Sequence, residues 1–275
     1  MTIVPYHLTH DGEYYSLAHV YDTLDEARAA CEEYEASDKD DTVEADAVPG
    51  ALGIDDYHGM YTVSTVPRGT REGDHSNWGG STVAVVDAIL QLFDYIREDQ
   101  DPEWYKPLEP ERIAQAIERV QWRESVGSVG GQIVSRLILS HGLPNANHRT
   151  SLAILLTYLE TFGDLPAVPE TNAGEEWAEW VNGYIRESKR LITVRRNAGQ
   201  FGYLASIGAT GVERKNSVVI DFEEYPPGVD DSWGHYRGLH EELWTSFAHE
   251  FLDRCGAPEL GTREDDGMGV FADRL

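Results

Sequence analysis

Two apolar segments at helical spacing flank the stretch His141–Arg149, HGLPNANHR, and this arrangement constrains the chain more than any other part of it. Upstream, Ile133, Val134, Leu137, Ile138 and Leu139 predict a core helix running into His141. Downstream, Ala153, Leu155, Leu156, Leu159 and Phe162 predict a helix apolar nearly all round, which belongs at the centre of a bundle. Between them stand a His, a Pro-Asn-Ala-Asn turn and an Arg. A helix N-terminus carries N–H groups without intrahelical acceptors and the positive end of the dipole, so Asn145 to Arg149 suit an anion, with Arg149 closing on it. His141 stands at the rim as a candidate base.

The same stretch resembles the signature loop of the Fic/Doc family, which reads His-x-Phe-x-(Asp/Glu)-Gly-Asn-Gly-Arg in Fic enzymes and ends Ala-Asn-Lys-Arg-Thr-Ala in Doc toxins. His141, Ala146, Asn147, Arg149 and Thr150 fall on the Doc-like form, and Leu152 replaces the second Arg of the Fic AMP-transferases. The resemblance extends over roughly Val83 to Arg196 and implies a mainly α fold: a Fic/Doc-like helical bundle core flanked by small α+β N- and C-terminal segments. It also implies a chemistry. His141 would take the proton of a protein hydroxyl as that oxygen attacks a nucleotide phosphorus, with ATP or another nucleoside triphosphate as substrate. Asn147 would donate to a phosphate oxygen and Arg149 would offset developing charge.

Within the resemblance, Asn145 stands where the family has an acidic residue that binds magnesium; an amide oxygen is a weaker ligand for a hard cation, so Mg2+ dependence is in question. Leu143 replaces the usual Phe. His148 fills the position that is Gly in Fic and Lys in Doc, where a large side chain blocks close backbone approach to the phosphates. Together with Leu152, this favours phosphoryl transfer over AMP transfer. Trp104 and Tyr105 occupy the place of the family's flap, which docks the target protein; a loop packed down by its aromatics accounts for them equally well. A Doc-like protein implies a protein target such as a translation factor. The nearest approach to the family's inhibitory helix is Thr262–Gly267, TREDDG, with Asp where Glu belongs, so control by a separate antitoxin-like partner is expected.

The 49 acidic residues outnumber 22 basic ones among 275, giving a net charge of −27, with Lys only at 39, 106, 189 and 215. An acidic, Lys-poor surface suits molar salt, where screening shrinks to about 3 Å, and points to a salt-adapted source. Disorder is excluded by 41% hydrophobic residues and seven Trp. The charge argues against nonspecific nucleic-acid binding. Cys31 and Cys255 form neither a disulfide framework nor a zinc motif and read as buried thiols. His235, His240 and His249 lack ligand spacing for zinc, and His58 and His75 read as loop residues. With no signal-like N-terminus and no apolar run of about 18 residues, the chain is expected to be cytoplasmic, in a high-salt cytoplasm, and away from membranes.

Three regions are expected: 1–78, a small α+β segment; 81–198, the helical domain; and 199–275, an α+β segment with a flexible tail. The first holds a hairpin around Asp11-Gly12, a helix capped at Thr23 or Asp25 with Leu24, Ala27, Ala30, Cys31 and Tyr34 on one face, and a strand over 59–66. The second opens on a Ser or Thr cap near Ser81, with Val83, Val86, Ile89 and Phe93 on the buried face. It continues through a helix starting at Pro110, breaks at Gly127–Gly131, and closes on a helix around Trp177–Ile185 capped near Thr171 or Asn172. That last helix ends in a basic cluster, Arg186, Lys189, Arg190, Arg195 and Arg196, read either as a solvated helix end or as a nucleotide or partner contact. In the third, Phe201–Ile207 and Ser217–Phe222 read as strands with Gly211–Asn216 as a turn, followed by a helix over 239–252.

Overall fold

In the computed structural model, residues 3–10, 13–36, 41–45, 58–64, 70, 78–100, 104–163, 165, 175–215 and 217–275 are described. The fold is mainly α. The chain runs β1 (Ile3–Pro5), β2 (His7–His10), β3 (Glu13–Tyr21), α1 (Leu24–Glu35), β4 (Asp41–Ala45), β5 (His58–Ser64), α2 (Gly80–Gln100), α3 (Pro110–Glu118), α4 (Val126–Ser140), α5 (Asn147–Glu160), α6 (Glu175–Ser206), β6 (Gly211–Arg214), β7 (Val218–Asp221), α7 (Ser232–Arg254), α8 (Pro258–Thr262) and α9 (Met268–Arg274). It divides into two compact units, residues 1–66 with 186–237 and residues 67–185 with 238–275. This division is not the sequential one expected at 78–81 and 198–199, because strands from both ends of the first unit share a sheet.

That sheet has the order β1-β6-β7, with β1 parallel to β6 (Ile3 opposite Gly211) and β6 antiparallel to β7. A second sheet, β2-β3-β5-β4, is antiparallel throughout. The β2–β3 hairpin forms as the alternation predicts, His10 facing Glu13; its Asp11-Gly12 turn lies outside the described residues. Helix α1 starts in a capping box, with the Glu26 N–H donating to Thr23 Oγ1 at 3.2 Å and the Thr23 N–H to Glu26 Oε2 at 3.2 Å. Its buried Ala27 and Cys31 give it an apolar face, and Cys31 packs with Met60, Ala18, Tyr21 and Tyr34. His58 is a strand residue opposite Tyr21, not a loop residue, and His75 lies outside the described residues.

Two expectations fail in this unit. Phe201–Ile207 is helical through Ser206, the end of α6, because Phe201 and Leu204 are buried at helical rather than alternating spacing. The helix stops at Gly208, φ +99, where the Ala209 N–H reaches back to Leu204 O at 3.0 Å. The expected turn over 211–216 contains β6 instead, since Gly211 and Val212 pair on both sides. Helix α6 is kinked at Asn197 (φ −121, ψ 18), whose amide donates to Thr193 O at 2.8 Å.

His7 ties β2 to this unit: the Lys215 N–H donates to its Nδ1 at 3.2 Å. Burial first, then Arg214 and Lys215, lower its pKa from 6.5 to about 3. The unfolded chain therefore takes up the proton before the folded one does. The stability contributed by neutral His7 is present above pH 6.5 and is lost progressively as pH falls towards 3. Urea unfolding across this window is expected to show a shallower pH slope for His7→Gln than for the parent; equal slopes would refute the assignment.

In the second unit α5 packs on α4 and α2, α3 on α2 and α4, α8 on α4, and α9 on α2. Of the residues the apolar pattern names, Leu155 and Leu159 of α5 and Ile133, Val134, Leu137 and Ile138 of α4 are buried, while Ala153, Leu156, Phe162 and Leu139 are half-buried; Ile154 and Tyr158 of α5 and Val126 and Val129 of α4 complete the buried faces. Helix α2 begins one residue before the expected cap, with Val83 N–H donating to Gly79 O at 3.0 Å. Val85 and Thr82, not Val83, join Val86, Ile89 and Phe93 on its inner face. Helix α3 has Pro110 in its first turn as expected. The candidate caps Thr171 and Asn172 lie outside the described residues.

Gly127–Gly131 does not break the chain. These glycines lie inside α4 because α7 approaches that face: a Cβ on Gly131 would lie 2.4 Å from Thr245 Cα, and one on Gly127 would lie 2.5 Å from the His249 ring. The expected flexible tail is also helical and anchored. Phe271 of α9 is 2% exposed, stacks 5.8 Å from Trp122 and meets Tyr158 edge-on at 5.3 Å. Among the described residues, no helix is long and apolar enough to cross a membrane.

Candidate active site

Helix α4 starts at Ser125, whose Oγ accepts from the Ser128 N–H at 3.3 Å, and ends on His141, which adopts the left-handed conformation (φ 52, ψ 39). Helix α5 begins after Ala146, also left-handed (φ 56, ψ 18), and the Thr150 N–H to Ala146 O bond of 2.9 Å opens its ladder. Two non-glycine residues at positive φ thus bracket the loop. Each costs roughly 1–3 kcal/mol, a cost the surrounding packing must hold.

The packing is visible. Gly142, Leu143, Pro144 and Ala146 are buried, and a Cβ on Gly142 would lie 2.6 Å from Ile113 Cγ1. Two backbone bonds lay the segment before α3 along the loop: Tyr105 N–H to Pro144 O at 3.3 Å and Glu109 N–H to Gly142 O at 2.8 Å. Of the aromatic pair there, Trp104 turns inward, its ring 6.3 Å from Phe93, while Tyr105 is 43% exposed. Tyr105 alone keeps the exposure that a docking residue needs.

Both asparagines brace the loop. The Ala146 N–H donates to Asn145 Oδ1 at 2.6 Å, and Asn147 Nδ2 donates to Leu143 O at 3.1 Å, which fixes the amide's orientation. Three polar atoms in the first turn of α5, Asn147 Oδ1, Thr150 Oγ1 and Ser151 Oγ, are buried without a hydrogen-bond partner. Arg149 is exposed and makes no ion pair among the described residues. The structure therefore brings His141, Ala146, Asn147 and Arg149 into one loop and helix start, with Asn145 turned to its own backbone.

A family model described as a family of unknown function, DUF8172, matches residues 1–275. The chain belongs to the DUF8172 family. No curated protein and no solved structure matches it.

Beneath the loop, this DUF8172 chain has a buried polar relay that its sequence pattern did not single out. His148, half-buried, sits 6.2 Å from the Trp244 ring; Trp244 Nε1–H donates to His240 Nε2 at 3.2 Å; and His240 Nδ1 lies 2.8 Å from Ser135 Oγ. An indole N–H only donates, so Nε2 accepts and the His240 proton sits on Nδ1, donating to Ser135. His240 is thus a fully buried strut between α4 and α7. The signal for it was the i, i+4 pair His240 and Trp244 on one face of α7. His249 is packed against Gly127 and Gly261.

The segment Thr262–Gly267 lies at the other end of α4 from His141. Its Arg263 O accepts from the Val126 N–H at 2.8 Å, the Asp265 N–H donates to Glu124 O at 2.9 Å, and Tyr158 Oη donates to buried Asp265 Oδ2 at 2.7 Å. Burial and this carboxylate push the Tyr158 pKa far up, so the phenol stays neutral. Among the described residues no three His, Cys, Asp or Glu side chains assemble as a metal site.

Proposed function

We propose that this DUF8172 chain is a Fic/Doc-like transferase that moves the γ-phosphoryl group of a nucleoside triphosphate to a hydroxyl of another protein. One observation carries the reading: α4 ends on His141 and α5 begins at Asn147, so an imidazole and a helix N-terminus share a short, tightly packed loop. The target's hydroxyl oxygen bonds to the γ-phosphorus, the bond from that phosphorus to the β-bridging oxygen breaks, the nucleoside diphosphate leaves, and the hydroxyl proton passes to His141. Arg149 and the α5 N-terminus offset the charge on the phosphoryl oxygens.

The donor set does not suit a resident magnesium ion. Asn145 contributes a neutral amide oxygen that already accepts from the Ala146 N–H at 2.6 Å, and no step is routed through a protein-held metal. A second reading, a binding protein on a degenerate site, is favoured by the same bracing, since Asn145 and Asn147 both spend hydrogen bonds on the loop.

Incubation with a cell lysate at high KCl and γ-labelled or α-labelled ATP tests the proposal. Label on protein from γ-ATP alone is expected; label from α-ATP would redirect it to AMP transfer. Label from neither, with no nucleotide bound, would remove the enzyme reading.

A further inference from the structure

The buried hydroxyls of Thr82, Ser135 and Thr193 have partners: Thr82 Oγ1 donates to Glu118 Oε1 at 3.3 Å, Ser135 Oγ lies 2.8 Å from His240 Nδ1, and Thr193 Oγ1 donates to Lys189 O at 2.7 Å. Those of Thr150 and Ser151 do not. The two residues are 0% and 1% exposed, and among the described residues neither hydroxyl has a hydrogen-bond partner, nor does the buried Oδ1 of Asn147. Helix α5 itself does not impose this. Further along it, Thr157 Oγ1 donates to Ala153 O at 3.1 Å, the carbonyl four residues back. The equivalent carbonyl for Thr150, Ala146 O, takes the Thr150 N–H at 2.9 Å and not its hydroxyl.

At about 100° per residue, Asn147, Thr150 and Ser151 fall on one face of α5, which continues into the fully buried Ile154 and Tyr158. Polar groups therefore stand in its first turn where apolar ones would pack without a hydrogen-bonding penalty. Helical side chains lean toward the N-terminus, which directs the Thr150 and Ser151 hydroxyls at the turn that opens α5. A buried hydroxyl without a partner is unfavourable, and a second state that pairs it accounts for its presence. The covering segment is short. Residues 142–146 close over the turn through Asn147 Nδ2, which donates to Leu143 O at 3.1 Å, and Leu143 is buried. Left-handed His141 and Ala146 stand at its two ends, so backbone rotation at either one relieves strain.

We infer that this is the closed state of a ligand-gated turn: when an oligophosphate chain arrives, Leu143 O releases the Asn147 amide, and the Thr150 and Ser151 hydroxyls donate to phosphate oxygens. Hydroxyl bonds to an oxyanion are short and strong, and they pair both buried groups at once. Asn147 Oδ1 only accepts, so the released amide turns its Nδ2 to the phosphate and its Oδ1 away. The positive end of the α5 dipole favours the same anion. The inference rests on the transferase reading for its ligand, the phosphate chain of a nucleoside triphosphate, and adds to that reading two binding residues and a closed resting state.

Urea unfolding without ligand, and calorimetric titration with ATP and with sodium tripolyphosphate at one fixed KCl concentration, test it. Thr150→Val keeps the shape of the side chain and removes an unpaired hydroxyl, so its urea midpoint is expected above the parent's. Thr157→Val removes a paired hydroxyl from the same helix and is expected to lower the midpoint. Thr150→Val/Ser151→Ala is expected to weaken both ligands at least about tenfold, the loss that follows removal of hydrogen bonds to a charged acceptor. Ser151→Ala alone, the smaller change, is expected to weaken them in the same direction. A Thr150→Val midpoint at or below the parent's, or raised no more than that of Thr157→Val, means that the hydroxyl is paired in solution and overturns the inference. So does binding that is unweakened in the double variant, weakened for ATP but not for tripolyphosphate, or absent from the parent. Failure of the transferase reading alone has a different signature: both ligands respond as expected and no label reaches protein.

Discussion

His141→Asn is expected to cut γ-label transfer by about 10²–10⁴-fold, the range general-base catalysis typically supplies, with little change in melting temperature. Asn is the informative replacement because His141 sits at φ 52, a conformation that Asn tolerates better than other side chains with a Cβ. His141→Ala would remove the imidazole too, but it places a less tolerant residue in the left-handed region, so a loss of activity there could reflect a displaced α4 terminus. The pair separates base from backbone. Transfer by His141→Asn within tenfold of the parent would eliminate His141 as the base, and a cellular effect that survives both substitutions would favour the binding-protein reading.

The largest stability loss is expected at Gly131. Ala in a helix interior is favoured over Gly by about 1 kcal/mol, so on propensity alone Gly131→Ala would stabilise α4. Here the added Cβ would lie 2.4 Å from Thr245 Cα and 2.5 Å from its N, backbone atoms that no rotamer change can move. Overpacking of this kind costs about 1–3 kcal/mol or more and should outweigh the propensity gain. Gly183→Ala is the matched control, since Gly183 lies in α6 with nothing within 4 Å of its would-be Cβ. Chemical denaturation should show Gly131→Ala destabilised and Gly183→Ala unchanged or stabilised; a stable Gly131→Ala would mean that α4 and α7 are less tightly apposed than described.

Gly131 also shows where a linear reading of the chain stops. Glycines in an apolar segment read as breakers because propensity is local, and only the partner helix reveals that their missing side chains serve close approach. The same holds for Phe201–Ile207, whose aromatic and aliphatic residues fit a strand or a helix over so short a span; burial of Phe201 and Leu204 decides for the helix. The segments around the loop were legible because Ile133 to Leu139 and Ala153 to Leu159 repeat at helical spacing over several turns. Within the loop, sequence indicated that His141, Asn147 and Arg149 share one short segment, and it also marked Asn145 as a weaker cation ligand than the acidic residue it replaces. It did not show that His240 and Ser135 form a strut beneath the loop, because that contact joins residues 105 positions apart in sequence.

The pairing of Ile3 with Gly211 has a further consequence for how the protein is made. Each compact unit draws on two separated stretches, one needing residues up to 237 and the other residues up to 275. During synthesis β1 emerges more than two hundred residues before the strand it joins, and α4 emerges well before the α7 and α8 that cover it. Such long-range closure slows folding and leaves unpaired strand edges and apolar helix faces exposed on the nascent chain. A truncation ending between α6 and β6 would therefore release no folded half, and a protease-resistant core is expected only once the residues through α8 have emerged from the ribosome.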